Sequence, residues 1–230
     1  MSPSFWSLMM AMKNKAKYFF LAALIIIILD QTTKVLILNH FGIVYNSRGE
    51  FIYTNPQHDI SILGDTVQLT FVDNEGMAFG VKFGGLKIIL STFSIVASIL
   101  LGWYLYRLEG FSIWVRIGIM LIFIGAVGNL IDRVFYGVIF GYSPIMYGKV
   151  IDFVQVDIPD IDIGPFYYTH FPVFNVADSC VTCGVILLLI VHKRIPPLSL
   201  VFGKKNSTEP VEDNDEELSK SADIDVIEKK

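Results

Sequence analysis

The stretch FNVADSCVTCGVILLLIV, residues 174–191, places a carboxylate at the edge of a long apolar run. Asp178 lies about one turn inside a segment that otherwise has the composition of a membrane-spanning helix. An ionised carboxylate costs about 2.5–3.5 kcal/mol at the centre of such a helix on insertion scales, and less near the interface. We therefore expect Asp178 to lie at the mouth of the helix, in a polar site that offsets this cost.

The whole chain has the composition of a membrane protein. Its 230 residues are 53% hydrophobic and only 17% charged, with a mean hydropathy of +0.55. This is too apolar for an ordinary soluble domain. The formal net charge of −4 owes much to the segment from Lys204 to Lys230, which is rich in acids and has neither aromatic residues nor helical apolar periodicity. This acidic C-terminal tail is predicted to be disordered.

Four apolar windows are long enough to cross the hydrocarbon core of a bilayer. They lie near Lys17–Leu38, Leu86–Tyr106, Ile113–Val134 and Phe174–His192. The first window follows basic residues, as in a signal peptide, but no small-residue cleavage pattern follows it and the apolar run resumes after Lys34. We therefore predict a mainly α membrane protein with four transmembrane helices.

Basic residues indicate the cytoplasmic side. They precede the first span, flank the short link between the second and third, and follow the fourth. Both termini are thus predicted to be cytoplasmic, with an N-terminal segment (1–16), a membrane domain (17–195) and a tail (196–230). The connections at about 40–85 and about 135–173 are predicted to lie outside. The basic residues in question are Lys13, Lys15, Lys17, Arg107, Arg116, Lys193, Arg194, Lys204 and Lys205.

The two outer connections have different patterns. TVQLTFVDNEGMAFGVKF, residues 66–83, alternates apolar and polar residues around the turn-forming DNEG, which predicts a β-hairpin or a small curved sheet. We expect this β platform to lie on the membrane surface. DIPDIDIGPFYYTHFP, residues 157–172, is rich in Pro, Gly and aromatic residues, and we interpret it as an irregular interfacial loop.

Polar residues collect at the outer ends of the predicted spans. Within each helix they are three or four positions apart, so they share a face. Taken singly, each is compatible with an ordinary role, as a snorkelling ion pair, a helix cap or a solvated loop acid. Taken together, they indicate a water-accessible site at the depth of the outer leaflet. The residues are Asp30, Lys34, Asn74, Asn129, Asp132, Arg133, Asp152, Asn175 and Asp178.

Carboxyl chemistry is the chemistry that the sequence favours at this site. The four histidines are scattered, without the pattern of a serine protease or a zinc site, and the chain has no phosphate loop or nucleic-acid footprint. The CxxC pair, Cys180 and Cys183, lies in an apolar run that disfavours thiolates. Two carboxylates that share a proton can activate water for attack on an amide. Asp132, Asp152 and Asp178 compete for the two places, and a proton-coupled transporter or a membrane scaffold are the alternative functions.

Five motifs in order resemble the lipoprotein signal peptidase family, also called signal peptidase II. They are DQTTK (30–34), NEGMAF (74–79), GNLIDR (128–133), VIDF (150–153) and FNVAD (174–178), and the resemblance covers about residues 17–195. It implies an aspartic endopeptidase of the bacterial inner membrane that needs no cofactor or metal. Its expected partners are lipid-modified prolipoproteins and membrane lipid, and the expected cut lies before the diacylglyceryl cysteine.

Carried over by motif, the resemblance makes Asp152 and Asp178 the catalytic pair. Asp132 is expected to be an ionised structural anchor instead, because Arg133 follows it directly and Asn129 shares its helical face. Gly76 is expected to allow close approach of the platform strand. The supporting shell is then Asp30, Lys34, Asn74, Gly76, Asn129, Asp132, Arg133, Asn175 and Ala177.

The sequence departs from the compact family pattern in three places. The spacing between VIDF and FNVAD is lengthened by residues 157–170, the first outer connection is long, and the acidic tail is additional. The first departure bears directly on the site, because it separates the two predicted catalytic residues along the chain. A surface loop can absorb such an insertion at small cost.

Overall fold

A computed structural model of the protein describes residues 16–46, 48–54, 59–76, 86–163 and 166–202. Several predicted features lie outside these residues. They are nearly all of the N-terminal segment, the second half of the predicted platform stretch, and the acidic tail beyond Phe202.

The described helices follow the predicted apolar windows. The third helix does not end at Ile131 but widens into a π-helical turn and closes with one further α-turn. Such wide turns are frequent at functional sites. The helical elements are α1 Ala16–His40, α2 Leu86–Arg107, α3 Ile113–Ile131 with its π-turn Asp132–Tyr136, α4 Gly137–Ile139, α5 Val176–Ile190, a 3-10 turn His192–Arg194, and α6 Leu198–Phe202.

Within the described residues, three helical segments are long and apolar enough to cross a membrane. They are Ala16–His40, Lys87–Arg107 and Ile113–Ile139. Large apolar side chains such as Leu21, Leu24 and Phe93 stand exposed on their outer faces, as expected for surfaces that face lipid. The chain is therefore an integral membrane protein.

The fourth predicted window differs from the structure in length. Its helix, α5, is apolar but spans only 15 residues, Val176–Ile190. Phe174 ends a β-strand instead, and Asn175 caps the helix. The window is shortened because its first residues serve the sheet and the cap.

Helix α3 lies at the centre of the helical layer and packs against α1, α2 and α5. A side chain at Gly125 would collide with the Ala177 carbonyl and the Val181 side chain of α5, so the two helices approach closely only because this position is glycine. Apolar side chains of α1 and α3, among them Phe19 and Ile124, fill the rest of this core. The close contact brings the outer end of α3 beside the first turn of α5.

Six described strands form two antiparallel sheets. A small hairpin joins β1 to β2, and a four-stranded sheet has the order β3-β4-β5-β6. The first outer connection supplies β1 to β4, and the second supplies β5 and β6. The strands are β1 Ile43–Tyr45, β2 Phe51–Tyr53, β3 Ile60–Leu63, β4 Val67–Asn74, β5 Val150–Ile163 and β6 Phe166–Phe174.

The predicted β platform is present, with a different pairing. Its described part, β4, pairs with β3 on one side and β5 on the other. The expected partner segment after DNEG falls on residues 77–83, which lie outside the described residues. The platform is thus a sheet that combines strands from both outer connections.

The irregular loop predicted over residues 157–172 is corrected by the structure. These residues form most of the β5–β6 hairpin, with Asp157 opposite His170 and Ile163 opposite Phe166. Acidic and apolar residues alternate in this stretch, and its aromatic residues favour strands. Pro159 lies where the register shifts between Asp157 and Ile161, and proline is tolerated at such irregularities.

A second apolar cluster joins the sheet to the helices. Phe71 of β4 and Ile151 and Phe153 of β5 pack with Ile37 and Phe41 from the end of α1. Because these side chains are nearly fully buried, the sheet is seated directly on the ends of the helices. Ile151 and Phe153 face this cluster, so Asp152 between them lies on the other face of β5, where Asn175 at the start of α5 reaches it.

Candidate active site

The first turn of α5 fixes Asp178. Asn175 is the N-cap, and its side-chain oxygen accepts a hydrogen bond from the Asp178 N–H at 2.9 Å. The Asp178 carboxylate in turn accepts one from the Asn175 N–H at 3.3 Å. This reciprocal capping box satisfies two backbone donors at the helix start. It holds the Asp178 carboxylate at the mouth of the helix, as the sequence predicts.

Two side-chain amides hold Asp152, on β5. Its Oδ1 accepts a hydrogen bond from Asn175 Nδ2 at 2.6 Å, and its Oδ2 accepts one from Asn74 Nδ2 at 2.9 Å. Asn74 is the last residue of β4, where its Oδ1 accepts from the Gly76 N–H at 2.8 Å. Gly76 has φ of +77°, a left-handed conformation that favours glycine, and a Cβ there would lie 2.9 Å from Leu90 Cδ1 of α2. The glycine therefore allows both this turn and a close approach to α2.

A third amide, that of Asn129 at the end of α3, links Asp178 to the side chain of Asn175. Its Nδ2 donates to Asp178 Oδ1 at 2.7 Å, while its Oδ1 accepts from Asn175 Nδ2 at 3.2 Å. Asn175 therefore contacts Asp152, Asp178 and Asn129 at once. The structure brings both predicted catalytic aspartates into one amide network, despite the 25 residues between them in sequence.

The two carboxyl groups have different environments. Asp152 is almost fully enclosed, whereas Asp178 is half-buried. Burial raises the pKa of Asp152 to about 6, and the negative charge of Asp178 contributes to the rise, although the hydrogen bonds from Asn74 and Asn175 oppose it. Asp152 consequently holds a proton more readily than an ordinary aspartate.

Asp30, Lys34 and Asp132 form a separate ionic anchor between α1 and α3. Lys34 Nζ lies 2.9 Å from Asp30 Oδ2 and 2.7 Å from Asp132 Oδ2, and all three side chains are fully buried. The i,i+4 pair of Asp30 and Lys34 forms as predicted. The expected partners of Asp132 were wrong, because Lys34 from another helix pairs with it in place of Arg133 and Asn129. Local spacing along α3 gives no information about a partner on α1.

The ionic anchor contacts the amide network at two points. Lys34 Nζ donates to Asn129 Oδ1 at 3.2 Å. Asp30 Oδ1 accepts from the Ala177 N–H at 2.9 Å, which gives an additional acceptor to the start of α5. Ala177 is fully buried, so it contributes a backbone donor and a small side chain. The anchor thereby fixes the orientation of both Asn129 and the first turn of α5.

Arg133 lies on the π-turn beside these groups. Its Nη1 is 3.4 Å from Ser94 Oγ of α2 and 3.4 Å from the Asn129 carbonyl oxygen. The charges of Asp152 and Asp178 also act on its guanidinium. Arg133 is therefore near both carboxyl groups, but it is not the counter-ion that the sequence suggested for Asp132.

Two further residues that the sequence did not reveal, Gln31 and Tyr136, extend the ionic anchor. Gln31 Nε2 donates to Asp132 Oδ1 at 2.9 Å and to Asp30 Oδ2 at 3.1 Å, and its Oε1 accepts from the Tyr136 hydroxyl at 3.0 Å. Gln31 directly follows Asp30, and adjacent helical residues point in different directions. The only available signal was its place inside the DQTTK motif.

Among the described residues, no group of three or more His, Cys, Asp or Glu side chains is arranged to hold a metal ion. The network instead offers two carboxyl groups, one enclosed and one more open to solvent, held by neutral amides. Such a pair can hold one proton between them and act as an acid and a base toward a bound water.

Comparison with known proteins places these features in context. A family model described as signal peptidase (SPase) II matches residues 22–193. The lipoprotein signal peptidase of Pelodictyon phaeoclathratiforme is 32% identical over 181 residues, covering 79% of this chain and 93% of that protein. That of Porphyromonas gingivalis is 35% identical over 179 residues, covering 65% and 76%.

Two solved structures of a bacterial membrane enzyme, determined by the in meso method at 2.3 and 1.9 Å, are also similar. They superpose with TM-scores of 0.54 and 0.53 at 25% and 26% sequence identity. The matches cover 84% and 78% of this chain and 95% of each of those chains.

Proposed function

The chain belongs to the signal peptidase II family of proteases, and from this premise we propose that it processes bacterial prolipoproteins. The proposed substrate is a precursor whose cysteine already carries a diacylglyceryl group. The proposed cut lies immediately before that cysteine and releases the signal peptide. The family match supports the reaction class, and the names of the relatives support the substrate class.

We assign the reaction to Asp152 and Asp178. The observation that carries this assignment is the side chain of Asn175, which donates to Asp152 at 2.6 Å while its backbone N–H donates to Asp178 at 3.3 Å. One residue thereby holds both carboxyl groups. The remaining candidate, Asp132, is paired with the ammonium of Lys34 in a fully buried ion pair, which fixes it as an ion and disfavours the change of protonation state that hydrolysis needs.

The different environments of the pair suggest separate roles. Asp178, which is more open to solvent, acts as the general base and takes a proton from the attacking water. Asp152 is the proton donor and polarises the scissile carbonyl, since its raised pKa favours the protonated form. The water oxygen bonds to the carbonyl carbon, a proton passes to the amide nitrogen, and the C–N bond then breaks.

Asn74, Asn129 and Asn175 orient the carboxyl groups without neutralising them. Amide donors stabilise a carboxylate through hydrogen bonds but bring no positive charge that would fix it as an ion. The repulsion between the two carboxyl groups is therefore retained, and a single shared proton is favoured. Asp30, Lys34, Asp132 and Arg133 support this arrangement from the helix side.

The expected topology suits such a substrate. We infer four spans, α5 being the fourth, with both termini in the cytoplasm and the site at the outer leaflet of the inner membrane. The distribution of basic residues supports this orientation. A signal peptide is an apolar helix, and its lipid-modified cysteine presents the scissile bond at membrane-surface depth. Lipid and signal helix would then reach the carboxyl groups laterally, under the sheet.

The family match disfavours both alternative functions. A proton-coupled transporter would place its ionisable residues near the middle of the bilayer, whereas here they lie in the second half of α1, at the end of α3 and at the start of α5. A scaffold would tolerate loss of the carboxyl groups. Replacement of either aspartate distinguishes these functions from a peptidase.

A cleavage assay with purified protein tests the proposal. A diacylglyceryl-modified prolipoprotein is incubated with the wild type, Asp152→Asn or Asp178→Asn, and the released signal peptide is identified by mass. We expect cleavage before the modified cysteine by the wild type only. The same precursor without the lipid is the substrate control and should be cut far more slowly. Absence of wild-type cleavage, or cleavage at another bond, would refute the proposed substrate.

A further inference from the structure

A second charged cluster lies on the opposite face of the sheet from the proposed catalytic pair. In the register of β4 and β5, Asn74 lies opposite Val150 and Asp73 lies opposite Ile151. Because side chains alternate between the faces of a strand, Asn74 and Asp152 share one face. Asp73 and Lys149 share the other. The cluster formed by Asp73, Glu75, Lys87 and Lys149, called here the outer clamp, is thus separate from the groups described above.

Lys149 is the centre of the outer clamp. Its Nζ lies 2.6 Å from Asp73 Oδ2, 3.2 Å from Glu75 Oε1 and 2.9 Å from the Gly49 carbonyl oxygen. These three acceptors use all three N–H donors of the ammonium. The side chain is largely buried, with 10% of its surface exposed, and the backbone N–H of Lys149 donates to the Tyr142 hydroxyl at 2.8 Å. These contacts hold Lys149 in one position.

The charges of the outer clamp stabilise one another. Burial alone would lower the pKa of Lys149, but the hydrogen bonds and charges of Asp73 and Glu75 outweigh it and raise this pKa. Burial raises the pKa of Asp73 despite the ammonium. Burial would also raise the pKa of Glu75, but Lys149 and Lys87 lower it. Lys149 therefore remains charged at neutral pH.

Two acids of the outer clamp are the sequence neighbours of Asn74. Asp73 and Glu75 flank it on either side, and both bind the same ammonium. The other oxygen of Glu75 lies 3.2 Å from Lys87 Nζ, at the start of α2. The chain is thus held immediately before Asn74, immediately after it and again at the helix that follows. Asn74 itself donates to Asp152 on the other face.

We propose that Lys149 is a positioning residue for catalysis, which acts through Asn74 to set the orientation of the Asp152 carboxyl group. This inference rests on the proposed function. Lys149 contacts neither carboxyl group of the pair, so its effect is transmitted by the strand ends that it joins. A chain without this ammonium has two like charges, Asp73 and Glu75, close together beside Asn74, and their repulsion displaces the turn.

Lys149→Met tests the proposal, because it keeps most of the unbranched apolar side chain and removes the charge. We expect kcat on the lipid-modified precursor to fall by about 10- to 100-fold, the effect of displacing a catalytic contact by a fraction of an ångström to an ångström, with KM changed less than about threefold. Lys149→Arg retains a cation that can bind both acids, and it should recover most of the lost kcat. Lys193→Met, an exposed lysine in the 3-10 turn, is the matched control and should behave as wild type.

A double-mutant cycle with Asn74→Ala separates positioning from general stability. Rates are measured in single turnovers with excess enzyme, so that slow variants remain measurable. If Lys149 acts through Asn74, Lys149→Met should slow an Asn74→Ala protein by less than about threefold. Thermal unfolding in detergent verifies that each variant is folded at the assay temperature.

The possible failures are distinguishable. Suppose that the wild type cleaves the precursor. If the losses in the cycle are then additive, or if kcat is unchanged in Lys149→Met, the role of Lys149 is overturned and the proposed function stays intact. A loss in Lys149→Met that appears in KM, or that follows the unfolded fraction alone, also overturns it. Wild-type protein that does not cleave the precursor overturns the proposed function, and the inference with it.

Discussion

The molecule holds two groups of aspartates that are joined through Asn129 and the first turn of α5, and they are stabilised in opposite ways. In the ionic anchor, Asp30 and Asp132 share the ammonium of Lys34 at 2.9 and 2.7 Å. In the proposed catalytic pair, Asp152 and Asp178 accept hydrogen bonds from neutral amides. An ammonium fixes carboxylates as ions, whereas amides orient them and leave their mutual repulsion in place.

This difference indicates which aspartates can take part in acid–base chemistry. A carboxyl group must be able to change its protonation state during a reaction. The anchor has no exposed surface and a dedicated counter-ion, so protonation there would break a buried ion pair. Asp152, with a pKa of about 6, can change state near neutral pH. The comparison predicts that variants of the two groups fail for different reasons.

The largest effect is expected from Asp152→Asn or Asp178→Asn. Each should reduce turnover by about 10⁴-fold or more, and the double variant should be hardly worse, because the pair acts as one unit. The measurement is cleavage of the lipid-modified precursor, with thermal unfolding recorded in parallel. Asp157→Asn, at an exposed position on β5, is the matched control and should retain full activity. Additive losses would show that the two carboxyl groups act independently.

Substitutions in the ionic anchor should inactivate the protein by destabilising its fold. Asp132→Asn removes one charge from a fully buried cluster, and loss of a partner in a buried ion pair typically costs about 3–5 kcal/mol. We expect a clear fall in the thermal unfolding temperature in detergent, larger than that of Asp152→Asn. If the two variants are equally stable and equally inactive, the division between anchor and catalytic pair is wrong.

The pH dependence should sharpen the same contrast. Because the pKa of Asp152 is raised to about 6, its proton is present below this pH and is lost above it. We expect kcat/KM to fall by about tenfold per pH unit on the alkaline side. Asn74→Ala removes a hydrogen bond that favours the ionised form, so the fall should begin at higher pH in that variant. A profile that is unchanged by Asn74→Ala would contradict this assignment of the acid.

The smallest effect is expected from a third set of acids, those of the C-terminal tail. These residues follow the last apolar segment, and their hydrophobic side chains are too sparse to form a packed core. Deletion of the residues after Lys205 should leave turnover within about twofold, since neither the ionic anchor nor the catalytic pair should depend on them. Processing of the precursor by membranes containing equal amounts of both forms is the measurement. A deleted protein that is present but inactive would assign the tail a role.

Local sequence patterns predicted the parts of the site that are themselves local. Asp30 and Lys34 pair at the i,i+4 spacing, and Asn175 and Asp178 cap the helix on which both lie. The contact of Lys34 with Asp132 joins two helices, and no periodicity along one helix encodes it. Gln31 and Lys149 were not recognised for the same reason, since their partners come from distant segments.

The sheet was less predictable than the helices. Apolar windows predicted α1, α2 and α3 well, because burial in lipid requires long apolar runs. The β5–β6 hairpin contains Pro159 and many acids, and its pairing depends on a partner strand that no local rule identifies. The motifs, more than the pattern, indicated that Asp152 and Asp178 would meet.

Only one residue separates the end of β6 at Phe174 from the start of α5 at Val176, and that residue is Asn175. Because this connection is so short, a shift of one residue in the β5–β6 register would turn the Asn175 amide away from Asp152. At the far end of the same hairpin, added residues only lengthen a ribbon. The length of the hairpin tip can therefore differ among relatives, whereas an insertion or deletion beside Asn175 should abolish activity.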